Sequence, residues 1–301
     1  MDIDYSIRPI LAIAVSLVAA GAIWGFRRQT NLRDSVSLVA SVAKFLIVIS
    51  MAPTILAGGT LQITLFTILP GVDFAFRVDA LGMVFATISS LLWMAAAVYS
   101  IGYMRHQKEH AQTRFFVCFA ISLSAAVGGA FAANLFTLVI FYEVLSLITY
   151  PLVYHKETDE SWHGGRRYMV YLMGASKTFL LAALALTYQF AGTLDFKPGG
   201  LFNDSGLSDG LLTVIYFCYL AGFAKSAIMP FHAWLPAAMV QGSRRPIPAM
   251  SLMFLRPDAQ KIEPAQKNRV ILDSAWAGMC ATPPIIEVGL SRAAPRMMYD
   301  S

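Results

Sequence analysis

The sequence predicts an all-α, polytopic membrane protein of about seven transmembrane helices, with its N-terminus outside. Three observations predict it. The 301 residues are 57% hydrophobic and only 14% charged, with a mean hydropathy of +0.59, whereas a soluble domain carries roughly 25% charge. Long runs lack any charge: Ala80–Met104 spans 25 residues without one, and 28 more separate Arg114 from Glu143. Basic residues collect in alternate loops. This composition excludes a disordered chain, a fibrous repeat and an ordinary soluble enzyme. The net charge of +5 is dispersed, which argues against a nucleic-acid partner.

A bilayer-crossing helix needs about 20 mostly apolar residues. The chain opens Met-Asp-Ile-Asp, which is acidic and has no cleavage pattern, so Pro9–Phe26 reads as a retained first helix. Val36–Leu56 is the second, interrupted by Lys44, and the two make a unit over residues 1–60. Leu61–Val72 is apolar but short, bounded by Gly58, Gly59, Pro70 and Gly71. Its Thr, Ile and Phe content predicts a strand-like segment in an outside loop over 61–79. Ala80–Met104 is the third helix. The stretch from Arg114 to Tyr154 holds two more, with a hinge near Ala132-Ala133-Asn134. Tyr168–Ala191 is the sixth and contains Lys177. Residues 192–209 form a polar, Gly-rich loop. Leu211–Met229 is the seventh; it contains Lys225 and is ended by Pro230. Residues 80–239 therefore carry helices three to seven. Beyond them the composition changes: 28 charged residues lie in 1–240 and 13 in the last 61.

The positive-inside rule gives an independent test of this count. With the N-terminus outside, the inside loops 27–35, 105–114 and 155–167 hold nine Lys and Arg residues, and the outside segments hold Arg8, Arg77 and Lys197. A miscounted helix would spoil the alternation.

Four ionisable residues fall inside spans: Lys44, Glu143, Lys177 and Lys225. An ionised side chain at mid-membrane costs about 2.5–3.5 kcal/mol even on the lenient insertion scale. Each therefore needs a partner, water or a function. Glu143 lies about 12 Å from the outside end of its helix and Lys177 about 14 Å from the inside end of its own. Burial favours the neutral carboxyl and a nearby ammonium favours the charged one. A Glu–Lys pair that forms and breaks is thus a charge switch, and Lys225 is the natural partner for Glu143. Pro230 and Pro236 remove backbone donors just after Lys225 and break that helix. Broken helices at mid-membrane line ion sites in transporters. Lys177 is a second candidate on the same polar line, and His232, just past the break, is a candidate relay. Lys44 has no carboxylate nearby in sequence, which points to a structural or inter-subunit role. His106, His110 and His155 read as solvated loop residues.

Other chemistry is absent from the sequence. Cys118, Cys218 and Cys280 are far apart and form no CxxC or Cys/His cluster, so neither a disulfide nor a metal site is expected. No nucleotide-binding loop, haem-attachment motif or zinc motif occurs, so no cofactor is expected.

The remaining motifs resemble a known family. Phe74-Ala75-Phe76-Arg77-Val78-Asp79-Ala80-Leu81-Gly82-Met83 looks like the entry to the third helix of antiporter-like membrane subunits. Phe141-Tyr142-Glu143-Val144-Leu145-Ser146-Leu147 is similar to their fifth-helix glutamate motif. Ala221 to Pro236, reading AGFAKSAIMPFHAWLP, is similar to their broken seventh-helix lysine motif. The family comprises the proton-pumping subunits of respiratory complex I and the related subunits of multi-subunit cation/proton (Mrp-type) antiporters. The resemblance covers residues 75–240 well and the first 75 loosely. It implies a proton path through Glu143 and Lys225, with Lys177 matching by position, and a closer likeness to the D-type subunits of Mrp-type antiporters. It implies protons and a monovalent cation, Na⁺, as the transported species. Other membrane subunits and the bilayer would be the partners, and the location a multi-pass place in the inner (plasma) membrane. The alternative it implies is a subunit of an NADH:quinone oxidoreductase without a redox centre of its own, or a non-functional fragment of either.

The family continues past this motif into further helices that make a second, inverted repeat. Here Val240 is followed by Gln-Gly-Ser-Arg-Arg-Pro-Ile-Pro-Ala-Met and by no apolar span of 18 residues. The expectation is an incomplete inverted-repeat bundle, with a frameshift or aberrant junction near residue 240 and an unrelated soluble or disordered tail over 240–301. Antiporter-like helices in the downstream reading frames of the gene are the check on that reading.

Overall fold

The computed structural model describes residues 3–155, 157–197, 200–202, 207–229 and 231–235. Pro230, Pro236 and the tail over 240–301 lie outside the described residues. The chain is a multi-pass helical membrane bundle. Helices α1 (Arg8–Gly25) and α2 (Thr30–Ile49) form an antiparallel hairpin, and α2 continues through a short α3 (Ala52–Leu56). Then come α4 (Ala80–Gln107), α5 (Gln112–Ala130) and α6 (Leu135–Val153). Next, α7 (Asp159–Ala175) runs through a π-helical turn, Ser176–Leu180, into α8 (Leu181–Ala191). Last among the described residues is α9 (Asp209–Gly222). Six helical segments among the described residues are long and apolar enough to cross a membrane.

Local signals explain most of the boundaries. Pro9 occupies the first turn of α1, where its missing N–H removes no helical hydrogen bond. The Asp79 carboxylate caps α4 by accepting from the Gly82 N–H at 2.7 Å. Asn134 caps α6 by accepting from the Thr137 N–H at 2.8 Å. That cap sits in the expected hinge and starts a new helix where the charge-free run offers no other punctuation.

A three-stranded sheet tops one end of the bundle, an addition to the all-helical expectation. The strand-like segment forms β2 (Thr60–Leu69), which pairs antiparallel with β3 (Val72–Val78) and parallel with β1 (Ile3–Tyr5). Gly71 supplies the positive φ of 78° that the tight turn between β2 and β3 requires. Phe76 and Val78 face down onto Met51, Met83 and Phe131. Arg77 donates to the Phe196 carbonyl at 3.1 Å, which ties the sheet to the loop after α8.

The bundle interior mixes small and aromatic side chains. Ala19, Ala20, Ala96, Ala97 and Ala120 let backbones approach, and Trp93, Phe115 and Phe116 fill the remaining space. This is the packing expected where lipid offers no hydrophobic drive to bring helices together. At the opposite end from the sheet, buried Asp34 accepts from Arg33 and Arg105, and Arg33 also donates to Gln112 at 3.0 Å. These contacts clamp α2, α4 and α5 together. Nearby, Arg114 binds Glu157 and the His155 carbonyl.

The seventh predicted span differs from the structure. The helix ends at Gly222 rather than at Met229, and its 14 residues cover about 21 Å. That end lies in close tertiary contact. A Cβ at Gly222 would lie 2.7 Å from the backbone nitrogen of Leu180, so α9 touches the π turn backbone to backbone. After Gly222 the chain turns away through short 3₁₀ turns at Ala224–Ser226 and Phe231–Ala233.

Candidate functional site

The polar site forms where α6, the π turn and the 3₁₀ turn after α9 meet. Glu143 sits about 12 Å along α6 from its start. Both of its carboxylate oxygens are buried, and neither accepts a hydrogen bond among the described residues. Its ion-pair partner among those residues is Lys177, whose Nζ lies 3.6 Å from Glu143 Oε2. Lys177 is carried by the π turn. Such turns add a residue to the helical repeat and rotate the downstream part of the helix; they recur at functional sites. The Lys177 side chain is 57% exposed, so its ammonium reaches the carboxylate from the bundle exterior.

Lys225 arrives from the other side. Its Nζ donates to the Tyr142 carbonyl at 2.7 Å, one residue from Glu143 along α6. The same carbonyl accepts from Ser146 Oγ at 2.8 Å. The Lys225 backbone N–H donates to the Tyr142 hydroxyl at 3.2 Å, and Nζ lies 3.8 Å from the centre of the Tyr142 ring. Tyr142 thus holds Lys225 at three points. The sequence expectation paired Glu143 with Lys225. In the structure the direct ionic partner of Glu143 is Lys177, and Lys225 is docked on the neighbouring peptide. Lys225 lies in the 3₁₀ turn after the end of α9, within hydrogen-bond reach of the Tyr142 carbonyl.

The helix break leaves carbonyls to satisfy. The Ala224 carbonyl accepts from the indole N–H of Trp234 at 2.8 Å, and Trp234 packs edge-on against Tyr168. The Tyr168 hydroxyl is in turn hydrogen-bonded to that of Thr149 on α6. His232 lies in the second 3₁₀ turn, and its buried Nδ1 has no hydrogen-bond partner among the described residues. Tyr142 and Trp234 escaped the sequence reading; the adjacency of Tyr142 to Glu143 was the only signal for the first.

Away from this site, Lys44 is fully buried. Its Nζ donates to Ser16 Oγ and to the Leu123 carbonyl, both at 2.9 Å, and lies 5.4 Å from the centre of the Trp93 ring. Its partners are neutral groups of α1, α4 and α5, in keeping with the structural reading. Glu109, His110 and His155 bring three possible metal ligands within 4.8 Å of one another. The two imidazoles are stacked, 5.0 Å apart and 22° from parallel, so their nitrogen lone pairs do not converge on one point. His155 is buried, against the solvated reading, because its ring is enclosed by Phe115 and His110.

Two family profiles match parts of this chain. A profile described as "NADH:quinone oxidoreductase/Mrp antiporter, TM" matches residues 132–254 and contains the whole site. A second, described as "NADH-Ubiquinone oxidoreductase (complex I), chain 5 N-terminus", matches residues 70–116. The chain belongs to the antiporter-like membrane-subunit family. The A/B-type subunit of a probable K⁺/H⁺ antiporter of Rhizobium meliloti is 24% identical over 79% of this chain and 24% of its own length. The A-type subunit of a Na⁺/H⁺ antiporter of Alkalihalophilus pseudofirmus is 29% identical over 56% of this chain and 21% of its own. This chain therefore spans about a quarter of the length of these relatives. Among solved structures, a chain of the archaeal membrane-bound sulfane sulfur reductase superposes with a TM-score of 0.69. It is 17% identical and covers 92% of this chain and 64% of that one, a likeness of fold.

Proposed function

We propose that this antiporter-like subunit translocates protons as part of a multi-subunit monovalent cation/proton antiporter, with Glu143 as the proton-carrying group. The observation that carries the reading is the buried Glu143 carboxylate, with one ammonium 3.6 Å away and its hydrogen-bonding capacity otherwise unused among the described residues. A carboxylate without hydrogen bonds among the described residues has the Lys177 ammonium as its ionic partner. Protonation of Glu143 frees Lys177, and departure of Lys177 favours protonation. Lys225, fixed on the Tyr142 carbonyl, sits where a change in the charge of Glu143 alters how firmly its own proton is held. His232 would pass protons onward from the break. The A-type relatives and their K⁺/H⁺ and Na⁺/H⁺ names support a monovalent cation as the exchanged species. The inner membrane is the proposed location, with the Arg-rich loops inside.

The test is Na⁺- and K⁺-driven proton flux in vesicles from cells that carry the chain with its neighbouring subunits. Glu143→Gln is expected to reduce flux at least about 100-fold, the usual scale for loss of a positioned proton-transfer group, and Glu143→Asp to retain part of it. Flux in Glu143→Gln equal to the parent's overturns the assignment. The match of residues 70–116 to a complex I chain favours a second reading, a proton-pumping subunit of an NADH:quinone oxidoreductase. Co-purification with flavin and iron–sulfur subunits distinguishes it.

A further inference from the structure

An apolar groove of about 530 Å³ runs between α1 and α2 on the outer face of the hairpin. Its walls follow helical spacing: Leu11, Val18 and Phe26 on one side, Leu32, Val36 and Ala43 on the other. It extends about 22 Å along α1, from Leu11 to the turn that joins the two helices. That turn carries Arg27 and Arg28, immediately after Phe26 at the groove mouth. Both arginines are exposed, and neither has an acidic partner among the described residues. The nearest carboxylate in sequence, Asp34, is buried and already taken by Arg33 and Arg105. The Arg27 guanidinium rests 5.3 Å from the centre of the exposed Trp24 ring, an amphipathic pair suited to a headgroup layer.

The lining favours one kind of occupant. Walls that are apolar apart from Ser35 suit a hydrocarbon chain. The unpaired positive charge at one end asks for an anionic group on that chain. We propose that the α1–α2 groove holds an acyl chain of an anionic glycerophospholipid, whose phosphate sits against Arg27 and Arg28. Each basic residue near an anionic lipid surface is worth about 1 kcal/mol, so the two together give a preference of roughly thirty-fold over a zwitterionic lipid.

The experiment places a reporter in the groove mouth, Phe26→Trp, in the full chain reconstituted into phosphatidylcholine vesicles. Dibrominated phosphatidylglycerol or dibrominated phosphatidylcholine is then titrated in as quencher. The added tryptophan is expected to be quenched at a mole fraction of phosphatidylglycerol roughly thirty-fold below that needed for phosphatidylcholine. Arg27→Gln with Arg28→Gln should bring the two curves together while leaving quenching by phosphatidylcholine in place. Ala14→Leu, which narrows the groove, should weaken quenching by both. Equal quenching by the two lipids, a preference that survives loss of both arginines, or a reporter that neither lipid reaches because a protein segment fills the groove, each overturns the proposal. The arginine pair lies in an exposed turn, so the test stands even if the narrowed groove fails to fold.

Discussion

Gly222→Ala tests the contact that shapes the site. The added methyl carbon would lie 2.7 Å from the backbone nitrogen of Leu180, 2.7 Å from its Cβ and 2.8 Å from its Cα. Carbon atoms in comfortable contact sit about 3.5–4.0 Å apart. The end of α9 must therefore retreat from the π turn by about 1 Å. Overpacking of this size costs about 1–3 kcal/mol. The clash is mostly with backbone, so trimming the neighbour should give no relief: Leu180→Ala keeps its Cβ, Cα and nitrogen. The assay is thermal unfolding of the full chain in detergent, followed by tryptophan fluorescence, for Gly222→Ala, Leu180→Ala and the double variant. Gly222→Ala should lower stability by about 1–3 kcal/mol, with no favourable coupling to Leu180→Ala. Parent-like stability of Gly222→Ala, or its rescue by Leu180→Ala, would refute the close backbone contact between Gly222 and Leu180.

Further outcomes rest on the same geometry. Trp234→Phe keeps the ring against Tyr168 but removes one of the two donors to the Ala224 carbonyl, leaving the Ala227 N–H at 3.0 Å, and should destabilise the chain by about 0.5–1.5 kcal/mol in the same unfolding assay. Asp34→Ala leaves the buried Arg33 guanidinium without its carboxylate, so a loss of about 3 kcal/mol or more is expected, and Asp34→Glu should recover part of it. The hydrogen bond from Arg114 and the charge of that guanidinium hold the exposed Glu157 carboxyl below its ordinary value of 4.5. Its folded-state value is depressed, so the pair adds stability above about pH 4.5 and loses it as pH falls through the lowered value. Glu157→Gln should therefore lower thermal stability at neutral pH and flatten the acid limb of its pH profile.

The legible features were those written in local chemistry. The charge-free runs marked the long helices, Asn134 marked the break between α5 and α6, and the Gly- and Pro-bounded Thr/Ile/Phe run marked the strand β2 but not its partners. Mid-membrane charges flagged Glu143, Lys177 and Lys225, because their burial cost is visible without any coordinates. Two kinds of feature were not legible. The three-residue strand β1 exists only through its pairing with β2, more than fifty residues away. The arrangement around Glu143 includes a π turn that carries Lys177 and the close approach of Gly222 to Leu180 across the bundle, neither of which is written in local sequence. Spacing along one helix says which residues share its face, but not which face a neighbour presents.

Lys44 carries a consequence for the order in which the bundle assembles. Its ammonium finds one acceptor on α1, which is made before it, and another on the carbonyl of Leu123, which is made nearly eighty residues later. Until α5 joins the hairpin, that amine has only Ser16 and whatever water or headgroup its flexible stem can reach. The α1–α2 hairpin therefore cannot settle into a dry resting place on its own. The arrival of the fifth helix is what lets the second one sink, and a single lysine makes the early part of the chain wait for the middle.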